Sequence, residues 1–184
     1  MSKRIVFLTA AAFGALALTA TIVAPVSAQE RTVMVGGAAM FPSRNIIQNA
    51  VNSKDHTTLV AAVKAAGLVE TLEGKGPFTV FAPTNAAFGK LPAGTVDTLV
   101  KPESKATLTK ILTYHVVPGK LEASSLTDGK KLKTVEGEEL TVKHQDGKVW
   151  IVDAKGGTSM VTISNVNQSN GVIHVVDTVL MPAS

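Results

Sequence analysis

The sequence predicts an α+β domain, and three observations carry that prediction. Helical periodicity fills the first half of the chain, alternating apolar and polar residues fill the second, and one short run between them is apolar on both faces. That run sits in GPFTVFAPTNAAF at 76–88, which begins as a strand and becomes a helix start within thirteen residues. Helices and strands segregate along the chain, so a regular βαβ alternation is not expected.

At the amino end, Lys3 and Arg4 precede an uncharged, largely apolar run over 5–26, closed by Val26-Ser27-Ala28. Residues 1–28 read as a secretory signal cut between Ala28 and Gln29. A retained membrane anchor is the rival reading, opposed by Thr19, Thr21 and Pro25. Residues 29–42, with Gly36-Gly37-Ala38-Ala39, read as a flexible arm, and the folded domain is set at 43–184. Ser43 is the expected N-cap of a short helix with Ile46, Ile47, Ala50 and Val51 on one side. A second helix over 55–66 carries Leu59, Val60, Val63 and Ala66 as its stripe, and Gly67 supplies the left-handed residue that ends it. A third helical piece follows over 69–72, broken by Gly74-Lys75-Gly76-Pro77.

Residues 78–82 then have large apolar side chains on both faces, which places them inside a sheet and explains why the stretch carries no charge. Pro83 ends the run, and Thr84 can cap a helix through Ala86, Ala87 and Phe88. Helices are expected over 95–100 and 103–113, with Pro102 at a helix-starting position and Leu108, Ile111 and Leu112 on one stripe. After the turn pair Pro118-Gly119 come strand-like runs at 131–135, 140–144, 148–152, 160–163 and 172–180. Glu136-Gly137, Asp146-Gly147 and Asn170-Gly171 mark turns, Asp146-Gly147 being the strongest hairpin signal.

Composition narrows the functional classes. The chain has no cysteine, so an exported domain of this size must hold itself together by packing alone. Lys3 and Arg4 belong to the signal, so its removal lowers the net charge from +4 to +2 and weakens any case for nucleic acid as a partner. Lys130, Lys131 and Lys133 form the only basic cluster. A solvated turn and strand edge accounts for it, with an anionic polysaccharide contact as the alternative. No second apolar run is long enough to span a bilayer, so the expected product is soluble and extracytoplasmic, secreted or periplasmic.

Three ordered motifs, GPFTVFAPTNAAF at 76–88, YHVVPG at 114–119 and GVIHVVDTVLMP at 171–182, resemble the two sequence blocks and the intervening Tyr-His motif of the fasciclin (FAS1) domain family. The resemblance runs from about Asn45 to Pro182 and is nearest to small, exported, single-domain bacterial members. It implies a wedge-shaped, β-sandwich-like sheet core with several helices packed on it, the two blocks forming neighbouring central strands. It also implies a role in adhesion, or in binding a cell-surface or matrix protein or polysaccharide. In animal members, segments corresponding to Tyr114 and His115, and to an Asp-Ile pair, are linked to receptor binding. Here Asn165-Val166 stands where Asp-Ile is expected, and an asparagine lacks the carboxylate that a receptor-bound metal requires.

Candidate partner-binding residues are therefore Tyr114, His115, Asn165, Val166 and Trp150, the only tryptophan. For Tyr114 and His115 the structural alternative is a pair of buried rings holding the helix exit against the sheet by hydrogen bonds to backbone. For Trp150, which alternates with Val149 and Ile151, covering the sheet is the alternative to anchoring a partner. His174 lies among β-branched residues and Asp177 near a strand end, positions that suit structural roles, and no Gly-x-Ser-x-Gly elbow or cysteine nucleophile accompanies them. His56, in a first helical turn, and His144, at a hairpin end, are expected to be exposed, and no two histidines sit at metal-ligand spacing. No catalytic residue, cofactor or metal is assigned. A monomer is expected, with an envelope protein of weak homophilic association and a secreted enzyme as the alternatives to a binding module.

Overall fold

The computed structural model describes residues 31–183, so the signal and its cleavage point at Ala28 and Gln29 lie outside the described residues. The first feature departs from the sequence reading. Residues 33–40 form a hairpin, β1 (Val33–Val35) paired antiparallel with β2 (Ala38–Met40), instead of belonging to a flexible arm. Gly36 and Gly37 take φ of 58° and 76° at the turn, a geometry glycine adopts without steric cost. Val35 and Met40 are buried in the main core, and the Gly36 carbonyl accepts the Lys54 N–H, so packing and not propensity orders this segment.

The helices follow. In α1 (Ile46–Ala50) the N-cap is Asn45, not Ser43: its side chain accepts the Gln48 N–H at 2.8 Å while the Gln48 side chain accepts the Asn45 N–H, a complete capping box. A 3₁₀ turn over Lys54–His56 leads into α2 (Thr57–Ala66), which ends on Gly67 at φ 74° as the sequence requires. The short α3 (Val69–Glu73) precedes β3 (Phe78–Pro83), and Thr84 caps α4 (Asn85–Gly89) by accepting the Ala87 N–H. Then come α5 (Thr95–Leu99) and α6 (Lys105–Tyr114), the latter entered through a 3₁₀ turn that starts at Pro102.

The second half is sheet: β4 (Val116–Pro118), β5 (Lys131–Lys133), β6 (Glu139–Gln145), β7 (Lys148–Val152), β8 (Thr158–Gln168) and β9 (Gly171–Val176). With β3 they make one seven-stranded mixed sheet in the order β4-β3-β9-β8-β7-β6-β5. The two motif strands are neighbours, β3 and β9 running parallel with Phe81 opposite His174. The sheet curls until its ends nearly meet, where the Val135 N–H donates to the Val116 carbonyl at 2.8 Å.

That curl divides the core. Val80, Ala82, Ile173 and Val175 face the helices, while Phe81, Val176, Leu140, Val142 and Ile151 fill the inside of the curled sheet. Every residue of β9 is buried, as is every residue of β3 after Phe78. A charged side chain on either strand would be desolvated whichever way it pointed, which is why the 76–88 stretch has so little charge.

Candidate functional site

Three of the five candidate partner-binding residues are buried, and a fourth, Asn165, is half-buried and bonded to backbone. Tyr114, the last residue of α6, is fully enclosed, and its hydroxyl accepts the Ala154 N–H at 2.8 Å while donating to the Glu139 carbonyl at 3.3 Å. Burial pushes the phenol up to about 12. His115 is 2% exposed. Its Nδ1–H donates to the Ile111 carbonyl at 2.8 Å and its Nε2 accepts the Leu180 N–H at 3.0 Å, a pairing that requires the neutral ring. Burial lowers its pKa to about 4. The two rings pin the end of α6 to the sheet and to the C-terminal segment, so the structural alternative accounts for every polar atom they carry. Neither ring is displayed to a partner.

Val166 is internal as well, and Asn165 is half-buried with its side chain turned to backbone. β8 is longer than the predicted strand because it continues through register shifts between Val161 and Val166, and Asn165 sits in the second shift at φ 57°. Asparagine tolerates that left-handed conformation better than most residues. Its Oδ1 accepts the Ala123 N–H at 2.7 Å, tying the 121–125 segment to the sheet. Val166 is 1% exposed and belongs to the helix-side core.

The histidines are used in the same way. His174 stacks on Phe81 at 5.7 Å between centroids, and its Nε2–H donates to the Leu121 carbonyl at 2.7 Å. His56 corrects the sequence reading, being 3% exposed where exposure was expected. The residue shares a cavity with Val35 and Met40 of the β1–β2 hairpin and Ala82 of β3, and the Ser53 hydroxyl is 2.9 Å from its Nδ1. Burial lowers the pKa of both His56 and His174. His144 is exposed, and Asp177 accepts the Met160 N–H at 2.9 Å and pairs with Lys90 at 3.4 Å. Among the described residues no group of three His, Cys, Asp or Glu side chains is placed to hold a metal ion. No helix there is long and apolar enough to cross a membrane.

Trp150 is the exception. It lies on the outer surface of β7, directly opposite Lys143 of β6 and Met160 of β8. The neighbouring positions Val142, Ile151 and Ser159 point into the core, so Lys143, Trp150 and Met160 form a row on the opposite face. The helices make their main contacts with β2, β3, β4 and β9, and on this row Lys143 is exposed while Trp150 and Met160 are half-buried. Sequence reading found Trp150 but missed its two neighbours. The alternation in 140–145 and 148–152 predicts which residues share a face, but pairing them across strands needs the register.

Comparison with known proteins agrees with the geometry. The fasciclin domain family matches residues 54–182. Protein sll1483 of Synechocystis sp. is 48% identical over 181 residues, covering 98% of this chain and 97% of that one. Cell surface glycolipoprotein MPB83 of Mycobacterium bovis is 39% identical over 153 residues, covering 80% of this chain and 64% of its own. Among solved structures, a FAS1 domain pair from the insect cell adhesion molecule Fasciclin I superposes with a TM-score of 0.68 at 18% identity, over 77% of this chain and 52% of that one. The chain belongs to the fasciclin domain family, whose members are associated with adhesion and cell surfaces, and its α+β architecture is the FAS1 fold.

Proposed function

We propose that this fasciclin-domain protein acts outside the cytoplasm as a binding or adhesion module for a cell-surface or matrix protein or polysaccharide. The observation that carries the reading is how its chemically capable side chains are spent. Tyr114, His115 and His174 are enclosed and hydrogen-bonded to backbone, while the half-buried tryptophan lies on the outer side of the sheet. That distribution suits recognition by a rigid surface better than turnover in a cleft, and no catalytic role is assigned. The names of the relatives, a cell surface glycolipoprotein and a cell adhesion molecule, point the same way. Retention on envelope and matrix fractions well above a blank support is the expected result. Background signal on glycan arrays together with an empty cross-linking experiment on intact envelopes would remove the reading.

A second reading, weak self-association, is favoured by one feature. β1 is paired on one side only, and Met34 on it is 59% exposed. An open strand edge with an apolar side chain is a template for pairing with a second copy. Sedimentation coefficients that rise with concentration for the parent protein, and stay constant for Met34→Lys, are expected if this edge pairs. Constant values for both would exclude it.

A further inference from the structure

We propose that the outer face of β5 to β8 is a docking platform for an anionic polysaccharide, with the Trp150 indole as the stacking surface and Lys143 and Lys148 as the charge contacts. The inference rests on the binding-module reading and names the site and the ligand chemistry for it. The register defines the platform. Lys143, Trp150 and Met160 form one row across three strands, and Lys131, Thr141, Val152 and Thr158 form the next row on the same face. Lys148 lies two residues from Trp150 along β7, about 7 Å away at strand spacing. The indole is thus flanked by a cation across the ladder and another along the strand.

The ligand class follows from two properties of this face. The apolar C–H face of a pyranose ring is complementary to the electron-rich face of an indole, and Trp150 is half-buried on the outer side of β7, part of its surface left to solvent. Charge selects among sugars. Lys133, Lys143 and Lys148 are exposed and take part in none of the ion pairs among the described residues. The acidic side chain on the face, Glu139, is already paired with Lys131 at 3.4 Å. The other nearby carboxylates lie at the margins: Asp146 in the β6–β7 turn, Asp128 bonded to the His144 N–H, and Asp177 paired with Lys90.

Because Trp150 is the only tryptophan, its emission reports on this face directly. Titrating the purified protein with polygalacturonate and with dextran sulfate is expected to give a saturable emission change with one or both, distinguishing carboxylate from sulfate. Neutral dextran should give none. The Lys143→Gln, Lys148→Gln double variant keeps the probe and should raise the apparent Kd about tenfold or more. Trp150→Phe, followed by affinity electrophoresis, should also weaken binding. An equal response to neutral dextran, unchanged affinity in the lysine variant, or no emission change with either polyanion overturns the proposal. So does equal affinity for duplex DNA or phosphatidylglycerol vesicles, which would reduce the face to a general attraction for polyanions. If envelope material retains parent and variants equally while the polyanions give nothing, this site falls and the binding-module reading survives.

Discussion

Replacing Gly171 with alanine is expected to destabilise the protein by at least about 3 kcal/mol, a large fraction of the stability of an ordinary domain. Gly171 is the first residue of β9 and pairs with Phe78, the first residue of β3. A Cβ there would collide with the Phe78 carbonyl oxygen and sit 2.8 Å from its carbonyl carbon and 2.9 Å from its amide nitrogen. All three are backbone atoms in the middle of the sheet, so none can swing aside as a flexible side chain does. Relief requires moving one central strand from the other. The Phe78 N–H bonded to the Asn170 carbonyl would be displaced at once. Next in line is Asn170, whose side chain ties β9 to α3 and α1 through the Leu72 and Gly74 carbonyls and the Ile46 N–H. Gly89→Ala is the control. Nothing lies within 4 Å of a Cβ at that position, which ends α4 without a positive φ, so the change is expected to be neutral or to stabilise by up to about 1 kcal/mol. Urea unfolding of the two variants beside the parent decides the matter. Equal midpoints for Gly171→Ala and the parent would mean that the junction of the two motif strands is looser than the geometry requires.

How much of this was legible in the sequence depends on where each signal comes from. Strand β3 was readable because burial on both faces puts Phe78, Val80 and Phe81 on opposite sides of a short uncharged run, and β9 showed as a strand-like run rich in β-branched residues. Their parallel adjacency was not readable from pattern, since strand pairing across ninety residues leaves no local trace. It came from the family resemblance. The Asp146-Gly147 turn was readable because both residues need positive φ, and they take 53° and 71°. Gly36-Gly37 carries a similar signal, but strands of three residues are too short to show alternation, so the pair read as flexibility. The same omission hid part of the surroundings of His56, since Val35 and Met40 of that hairpin line its cavity together with Val80 and Ala82 of β3. At the site, residue types alone could not separate Tyr114, His115 and Asn165 as structural pins from Trp150 as a surface residue. The difference lies in which backbone groups each side chain reaches.

Acid is expected to weaken the fold well before most carboxylates titrate, and His115 is the main reason. Burial lowers its folded pKa to about 4, while in the unfolded chain it returns to about 6.5. Between those values the unfolded state holds a proton that the folded state refuses, so stability is complete above pH 6.5 and declines as pH falls toward 4. One proton across that window amounts to about 3 kcal/mol. The geometry states the cause: protonation puts a hydrogen on Nε2, which already faces the Leu180 N–H at 3.0 Å, and no rotation helps because Nδ1–H is held by the Ile111 carbonyl. His174 and His56, also lowered by burial, act in the same direction. Urea unfolding at intervals from pH 7.5 to 4.5 should show free energy falling with pH at a slope of about one proton or more. His115→Gln should be less stable at neutral pH, since a buried pairing is lost, but should shed about one proton of that slope. A parent protein whose stability is flat from pH 7.5 to 4.5, or a variant with the parent's slope, would show that the ring is protonated inside the fold and that the Leu180 contact is not what it accepts.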